Sequence, residues 1–144
     1  MFSKACEYGI RAAIFIALQS LQGRRVSLKS IAAEINSPEA FTAKILQQLV
    51  RSGLVESLRG PGGGFSIPGD RIAQIRLSEI VYAIDGDKLY EGCGLGLEQC
   101  DARYPCPLHD KFVEVRRDLR NMLEQTSLDE LLTGLEVGLT YLRR

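Results

Sequence analysis

The stretch LVESLRGPGGGFSIP, residues 54–68, constrains this chain more than any other. Two short strand-like runs, Val55–Leu58 and Phe65–Ile67, flank the five Gly and Pro residues 60–64, a pattern that closes as an antiparallel hairpin. Two helical signals precede it. In VSLKSIAAEI, Ser27 stands at an N-cap and Leu28, Ile31, Ala32 and Ile35 fall on one face, which predicts a helix of about two turns. The next segment restarts with Ser37 as N-cap, Pro38 at the first helical position and Glu39 in the first turn. Its stripe is Phe41, Ile45, Leu46, Leu49 and Val50, and Gly53 ends it. Two helices at this spacing followed by a glycine-tipped hairpin describe a winged helix-turn-helix.

The remaining segments read as helices joined by one long loop. From Ser3 to about Leu21, Tyr8, Ala12, Phe15, Ile16 and Leu18 keep helical spacing. RLSEIVYAIDG puts Ile80, Val81 and Ile84 on one face and stops at Gly86. From Leu108 to Gln125 the apolar positions Leu108, Phe112, Val115, Leu119 and Met122 step by 4, 3, 4 and 3, a near-heptad seam suited to a partner helix. TSLDELL opens a last helix with Ser127 as cap and Glu130 completing a capping box. The expected fold class is therefore mostly α with a small β wing. A winged helix-turn-helix DNA-binding head at residues 1–76 precedes residues 77–144, which carry a sensor loop at about 86–107 and long C-terminal dimerisation helices.

At 144 residues the chain is large enough to bury its own core. Its 45% hydrophobic and 25% charged residues exclude disorder and fibrous repeats. The longest apolar run, Ala12–Leu18, falls short of the roughly 20 residues of a membrane span, and no secretory leader pattern is seen. The expected setting is cytoplasmic, with no membrane partner. A net charge of zero conceals ten Lys and Arg against five Asp and Glu up to Arg76, and eight against thirteen beyond it. The basic half is thus the candidate polyanion surface.

In such a head the early, outward-facing residues of the second helix meet base edges. Here they are Glu39, Ala40, Thr42, Ala43 and Lys44, with Gln47 a further candidate. The wing adds Arg59, Gly60, Gly62 and Gly63. Glycines strip the hairpin tip of side chains so that backbone can approach a duplex, and Arg59 can reach into a narrow minor groove. Arg51 and Arg11 are candidates for phosphate contacts.

Cys93, Cys100 and Cys106 are separated by six and five residues, and His109 follows the last by three. Cys106 and His109 fall one helical turn apart, so both can face one centre. Glycines between the cysteines let backbone wrap tightly, as an amide-surrounded cluster requires. Three thiolates and an imidazole also suit tetrahedral zinc, although zinc ligands usually come in closely spaced pairs. A disulfide would leave one thiol over and suits an oxidising compartment. Free thiols in a loop are the plainest reading, and Cys6 on the first helix reads as a small core residue.

Taken in order, EYGIRA, LVRSGLVESLRGPGGGF, the three spaced cysteines and the seam helix make the chain similar to the IscR/NsrR type of bacterial regulators, the Rrf-two family, over nearly its whole length. The resemblance implies a homodimeric winged-helix transcription factor, most often a repressor, whose long helices cross at the dimer axis. It also implies an iron-sulfur cluster on Cys93, Cys100 and Cys106. His109 sits where IscR-like members place a histidine, implying a two-iron two-sulfur cluster. Glu7 sits where NsrR-like members place an aspartate from the partner subunit, and a four-iron four-sulfur cluster is the alternative. His109, and with it the two-iron form, is favoured. Two departures stand out: the first cysteine spacing is one residue longer than is common in the IscR branch, and Ala43-Lys44 replace a Glu-Gln pair.

The function expected is a dimeric regulator binding double-stranded DNA and sensing redox, nitric oxide or iron-sulfur status. The alternative is a regulator of the same fold without a cluster, controlled by thiol oxidation or a partner protein. An enzyme is not expected: the chain has a single histidine, no acid-base pair is apparent, and the glycine loop lacks the Lys and Ser/Thr of a P-loop.

Overall fold

A computed structural model describes residues 1–142. Helix α1 runs Lys4–Leu21, capped by Ser3, whose hydroxyl accepts the Cys6 N–H at 3.0 Å. Helix α2, Leu28–Ile35, begins at Ser27, which accepts the Ser30 N–H at 3.1 Å. It ends on Asn36 in the left-handed region, φ 53°, a conformation that Asn tolerates better than most residues. So short a helix is marginal alone; Ile31, Ala32 and Ile35 hold it by burial.

Helix α3, Glu39–Arg51, starts differently from the sequence reading. Pro38, not Ser37, is the cap, and it offers no side-chain bond. The Ser37 hydroxyl is buried and unpartnered among the described residues, while the Thr42 amide and hydroxyl both donate to the Pro38 carbonyl at 2.9 Å. Proline's fixed φ begins the helix here without a capping oxygen.

The wing is a two-stranded antiparallel sheet, β1 Glu56–Leu58 and β2 Gly64–Ser66, in the register Glu56 to Ser66, Ser57 to Phe65 and Leu58 to Gly64. On its other side β2 pairs with Val26 through Phe65, exchanging backbone bonds of 2.8 and 3.0 Å. That pairing explains Gly64. Its φ is 128°, and a Cβ there would lie 2.7 Å from the Val26 carbonyl oxygen, so only glycine lets the strand lie so close.

Behind the wing come α4, Gly69–Ile72, a single turn absent from the sequence reading, and α5, Leu77–Asp85. The Glu79 carboxylate takes the Arg76 N–H at 2.7 Å and caps α5. Helix α5 lies against α1 at Gly9, where a Cβ would meet Ile84 and Ile45. The core gathers Ile16, Ile31, Ile45, Leu46, Leu49, Ile72, Ile75 and Ile80, none more than 1% exposed. Each such side chain contributes about 1.5–3 kcal/mol by burial.

Residues beyond 76 are built into this same core. A 3-10 turn, Lys88–Tyr90, follows α5, and the cysteine loop then leads to α6, His109–Gln125, and α7, Leu128–Glu136. Backbone bonds from Leu77 to Thr126 and from Leu128 to Ile75, both 2.9 Å, tie the start of α7 to the start of α5. Leu128 and Leu132 of α7 then enter the core beside α1. Ser127 accepts the Glu130 N–H at 3.1 Å, the expected cap.

The seam of α6 divides in two. Leu119 packs inward on a second cluster with Cys6, Leu77, Val81 and Leu123, and the ring of Phe112 lies close on Gly94. Leu108 is half-buried. Only Val115 and Met122, 60% and 46% exposed, remain of the expected dimerisation stripe as an open surface. Meanwhile Leu123, outside the expected stripe, is wholly buried. The reason is angular: the apolar arc of α6 is wider than a two-position seam, and the side nearer α5 is taken up within the chain.

Candidate functional site

The structure brings α3 and the wing to one side of the molecule. Ala43 and Gln47 of α3, Arg51 at its end, and Ser57 and Arg59 of the wing line a single cleft of about 350 Å³ with Leu28 and Phe65. Glu39, Ala40, Lys44 and Gln47 are exposed on α3, and Ala43 is half-buried at the cleft wall. Thr42 does not belong to this surface: it is 0% exposed and its hydroxyl is spent on Pro38. With α3 beginning at Glu39, residue 42 turns onto the same inward face as Ile45 and Leu46. At the tip, Gly60 and Gly62 have φ of 89° and 74° and open space around the missing Cβ, and a Cβ on Gly63 would lie 2.2 Å from the Leu58 carbonyl oxygen. The tip is therefore a tight, bare backbone turn with Arg59 exposed at its base. Ser57 escaped the sequence reading, although its alternation with Glu56 along β1 was a signal for it.

The start of α3 is anchored from α1. The rings of Tyr8 and Phe41 meet edge to face at 5.8 Å, and Arg11 and Lys4 stand 4.9 and 5.7 Å from the Tyr8 ring centre. Arg11 is thereby drawn into a cation-π contact next to the first turn of α3. The EYGIRA motif thus supplies both the aromatic anchor and Gly9 at the helix crossing.

The three loop cysteines lie beside the N-terminus of α6. The Cys100 sulfur is 3.6 Å from His109 Nδ1. The Leu95 N–H points at the Cys93 sulfur at 3.4 Å. Amides of Leu95 and Leu97 hold the Cys93 thiol below its ordinary range, with further lowering from a side-chain bond with Cys106 and from the charge of Arg116. Cys100 and His109 are thus in contact, while Cys106 stands near enough to Cys93 to lower its thiol. Among the described residues no three His, Cys, Asp or Glu side chains converge closely enough to hold a metal ion. Glu7 sits apart on α1, paired with Lys4 at 3.2 Å. Cys6 is fully buried, and burial, with Asp85 adding, pushes its thiol up to about 12.

Arg116 is the residue of this region that sequence reasoning missed. One nitrogen of its guanidinium donates to the Gly92 carbonyl and another reaches the Cys100 sulfur at 3.5 Å. Within VRRDLR it looks like one of several solvated charges. Its position two turns beyond His109, on the same face of α6, was the available clue. In the same loop Asp101 accepts the Arg103 backbone N–H at 2.8 Å and pairs with its guanidinium at 2.9 Å, bonds that hold its carboxyl below the usual carboxylate range.

The donor chemistry suits an iron-sulfur group: soft sulfurs, one imidazole, an amide N–H aimed at a sulfur, and an adjacent cation. Comparison with known proteins bears on the whole chain. Residues 2–134 match the Rrf2 family, described as an iron-dependent transcriptional regulator. The chain belongs to the Rrf2 family. It is a DNA-binding transcriptional regulator and not an enzyme. An IscR from Photorhabdus laumondii is 29% identical over 130 residues, 90% of this chain and 77% of that protein. A putative HTH-type regulator from Haemophilus influenzae is 30% identical over 90% of this chain and 85% of its own length.

Among solved structures, CymR, the global cysteine regulator of B. subtilis, superposes with a TM-score of 0.74 at 26% identity, covering 92% of this chain and 96% of that one. An IscR from T. potens gives the same TM-score at 22% identity over 99% and 93% of the two chains and supports the fold alone. The expected winged-helix architecture is that of this Rrf2 chain. No helix among the described residues is long and apolar enough to cross a membrane.

Proposed function

We propose that this Rrf2 chain is a dimeric repressor whose grip on DNA is set by an iron-sulfur cluster held by Cys93, Cys100 and Cys106, with His109 as fourth ligand. The observation that carries the reading is the pairing of loop sulfur with α6 imidazole, Cys100 to His109 at 3.6 Å, in a chain related to IscR regulators. When bound, the cluster supplies a centre that reacts with oxidants and nitric oxide. The chain's own residues do the rest: the loop thiols bind, and Arg116 ties the loop to α6. Glu39, Ala40, Ala43, Lys44 and Gln47 meet the major groove while Arg59 and the bare tip at Gly60, Gly62 and Gly63 meet the neighbouring minor groove.

Two copies related by a twofold would place two heads on one palindromic duplex. Val115 and Met122, the exposed half of the α6 stripe, are the proposed centre of that contact, with Leu108, Phe112 and Leu119 stiffening it from within. Coupling of about 1–3 kcal/mol between loop state and DNA affinity gives roughly 5- to 150-fold control.

The test is affinity for a duplex selected by the wild-type protein from a random-sequence pool, measured anaerobically after reconstitution with iron and sulfide, before and after nitric oxide. A several-fold change in affinity is expected. Equal affinity in both states contradicts the reading. A second reading, control by thiol oxidation or a partner protein without a cluster, draws on the observation that among the described residues no three donors converge on one centre. Control by a partner protein expects the signal response to survive replacement of all three loop cysteines by serine, whereas control by thiol oxidation expects that response to be lost in a chain that takes up no iron.

A further inference from the structure

Arg116 occupies a position that the DNA interface and the ligand set leave unexplained. It projects from the middle of α6 toward the loop and contacts both the loop's first residues and its central cysteine. One guanidinium nitrogen donates to the carbonyl of Gly92, and a second lies 3.5 Å from the sulfur of Cys100. The guanidinium carbon also stands 5.9 Å from the centre of the Phe112 ring. That ring in turn fills the space beside Gly94, where a Cβ would lie 2.2 Å from its Cε2. Three points of the loop, Gly92, Gly94 and Cys100, are thus fixed to adjacent turns of one helix.

A planar fork with several fixed N–H directions can serve a carbonyl and a sulfur at once, whereas an ammonium is a single compact charge. Besides the contact of Cys100 with His109, the other side-chain bonds named above for the loop run within the loop itself. Cys100 is exposed, as are Leu95 and Leu97, so apolar burial cannot account for its order. The positive charge beside a sulfur has a second consequence: it favours anionic sulfur, and near an iron-sulfur centre it favours the more negative, reduced form.

We infer that Arg116 is the positioning residue of the sensor loop, clamping Gly92 and Cys100 to α6 and placing its charge against the loop sulfurs. The clamp stands on the contacts themselves; only its effect on a bound centre rests on the cluster reading. It also gives the loop a physical link to α6, the helix that carries Val115 and Met122. A loop displaced from Arg116 releases two acceptors held by one side chain and frees the ring of Phe112 from Gly94.

The experiment compares the full chain with Arg116→Gln and Arg116→Lys. In the metal-free proteins, hydrogen exchange is followed over residues 90–104, with the amides of α1 as the control for intact folding. Arg116→Gln is expected to exchange several-fold faster in the loop with α1 unchanged, and Arg116→Lys to recover only part of the protection. In protein reconstituted anaerobically with iron and sulfide, Arg116→Gln is expected to show a more negative midpoint potential, and Arg116→Lys a potential near that of the wild type. Wild-type exchange in both variants overturns the clamp. Faster exchange with an unmoved potential overturns the electrostatic half of the inference. If the wild-type chain takes up no cluster, the cluster reading fails on its own, and loop exchange alone decides for or against the clamp.

Discussion

The sulfur of Cys100 lies 3.6 Å from Nδ1 of His109, the first residue of α6. On the cluster reading, this loop thiol and helix imidazole form a ligand pair where the cysteine loop joins α6. Glu7, by contrast, is paired with Lys4 on α1. His109→Ala is therefore expected to lower bound iron or shift the visible absorption of the reconstituted protein, and Glu7→Gln to leave both unchanged. The reverse pattern in anaerobic spectra assigns the fourth position to Glu7 of a partner subunit.

Arg59 stands exposed at the base of a glycine turn, on the same cleft as Gln47 and Ala43. Its replacement by alanine is expected to weaken binding to the selected duplex by about 1–3 kcal/mol. Fluorescence anisotropy at fixed salt measures this, and an unchanged affinity removes the wing from the interface. Thr42→Ser, changing a residue buried beneath the helix, is expected to leave base preference unaltered.

Gly64 is a structural requirement of the wing. Its φ of 128° and the Val26 carbonyl oxygen 2.7 Å from any Cβ predict that Gly64→Ala destabilises the fold by about 1–3 kcal/mol. Denaturant unfolding checks the value. A midpoint equal to the wild type contradicts the pairing of β2 with Val26.

Leu123 and Met122 are neighbours in sequence with opposite surroundings, the first wholly buried and the second 46% exposed. Leu123→Ala is expected to cost about 2–5 kcal/mol of stability. Met122→Lys is expected to leave the fold intact and convert the proposed dimer to a monomer in sedimentation. A dimer that persists in Met122→Lys and in Val115→Lys moves the interface away from α6.

Much of the head was legible because local signals and burial agree there. Ser3, Ser27 and Gly53 act as the helix boundaries their residue types announce, and the wing strands agree with the reading to within a residue. Where local chemistry and packing diverge, the sequence misled. Ser37 is a good capping residue by type, yet Pro38 starts α3 and draws Thr42 inward. The α6 pattern was periodic enough to mark a stripe but not to say that Leu119 packs within the chain while Val115 does not, since period alone does not identify what covers a face. The single turn α4 carries no pattern of its own length. Arg116 is marked in the sequence only by its place two turns beyond His109, because its partners, a carbonyl and a sulfur, lie 24 and 16 residues away.

Anaerobic reconstitution of the wild-type chain, with absorption spectra and iron and sulfide analysis, decides whether Cys93, Cys100 and Cys106 hold a cluster. Stoichiometric iron and sulfide with visible sulfur-to-iron charge-transfer absorption are expected, both lost when Cys93, Cys100 and Cys106 are changed to serine. Colourless protein without iron, binding its duplex as well as the triple-serine variant does, would contradict the cluster reading.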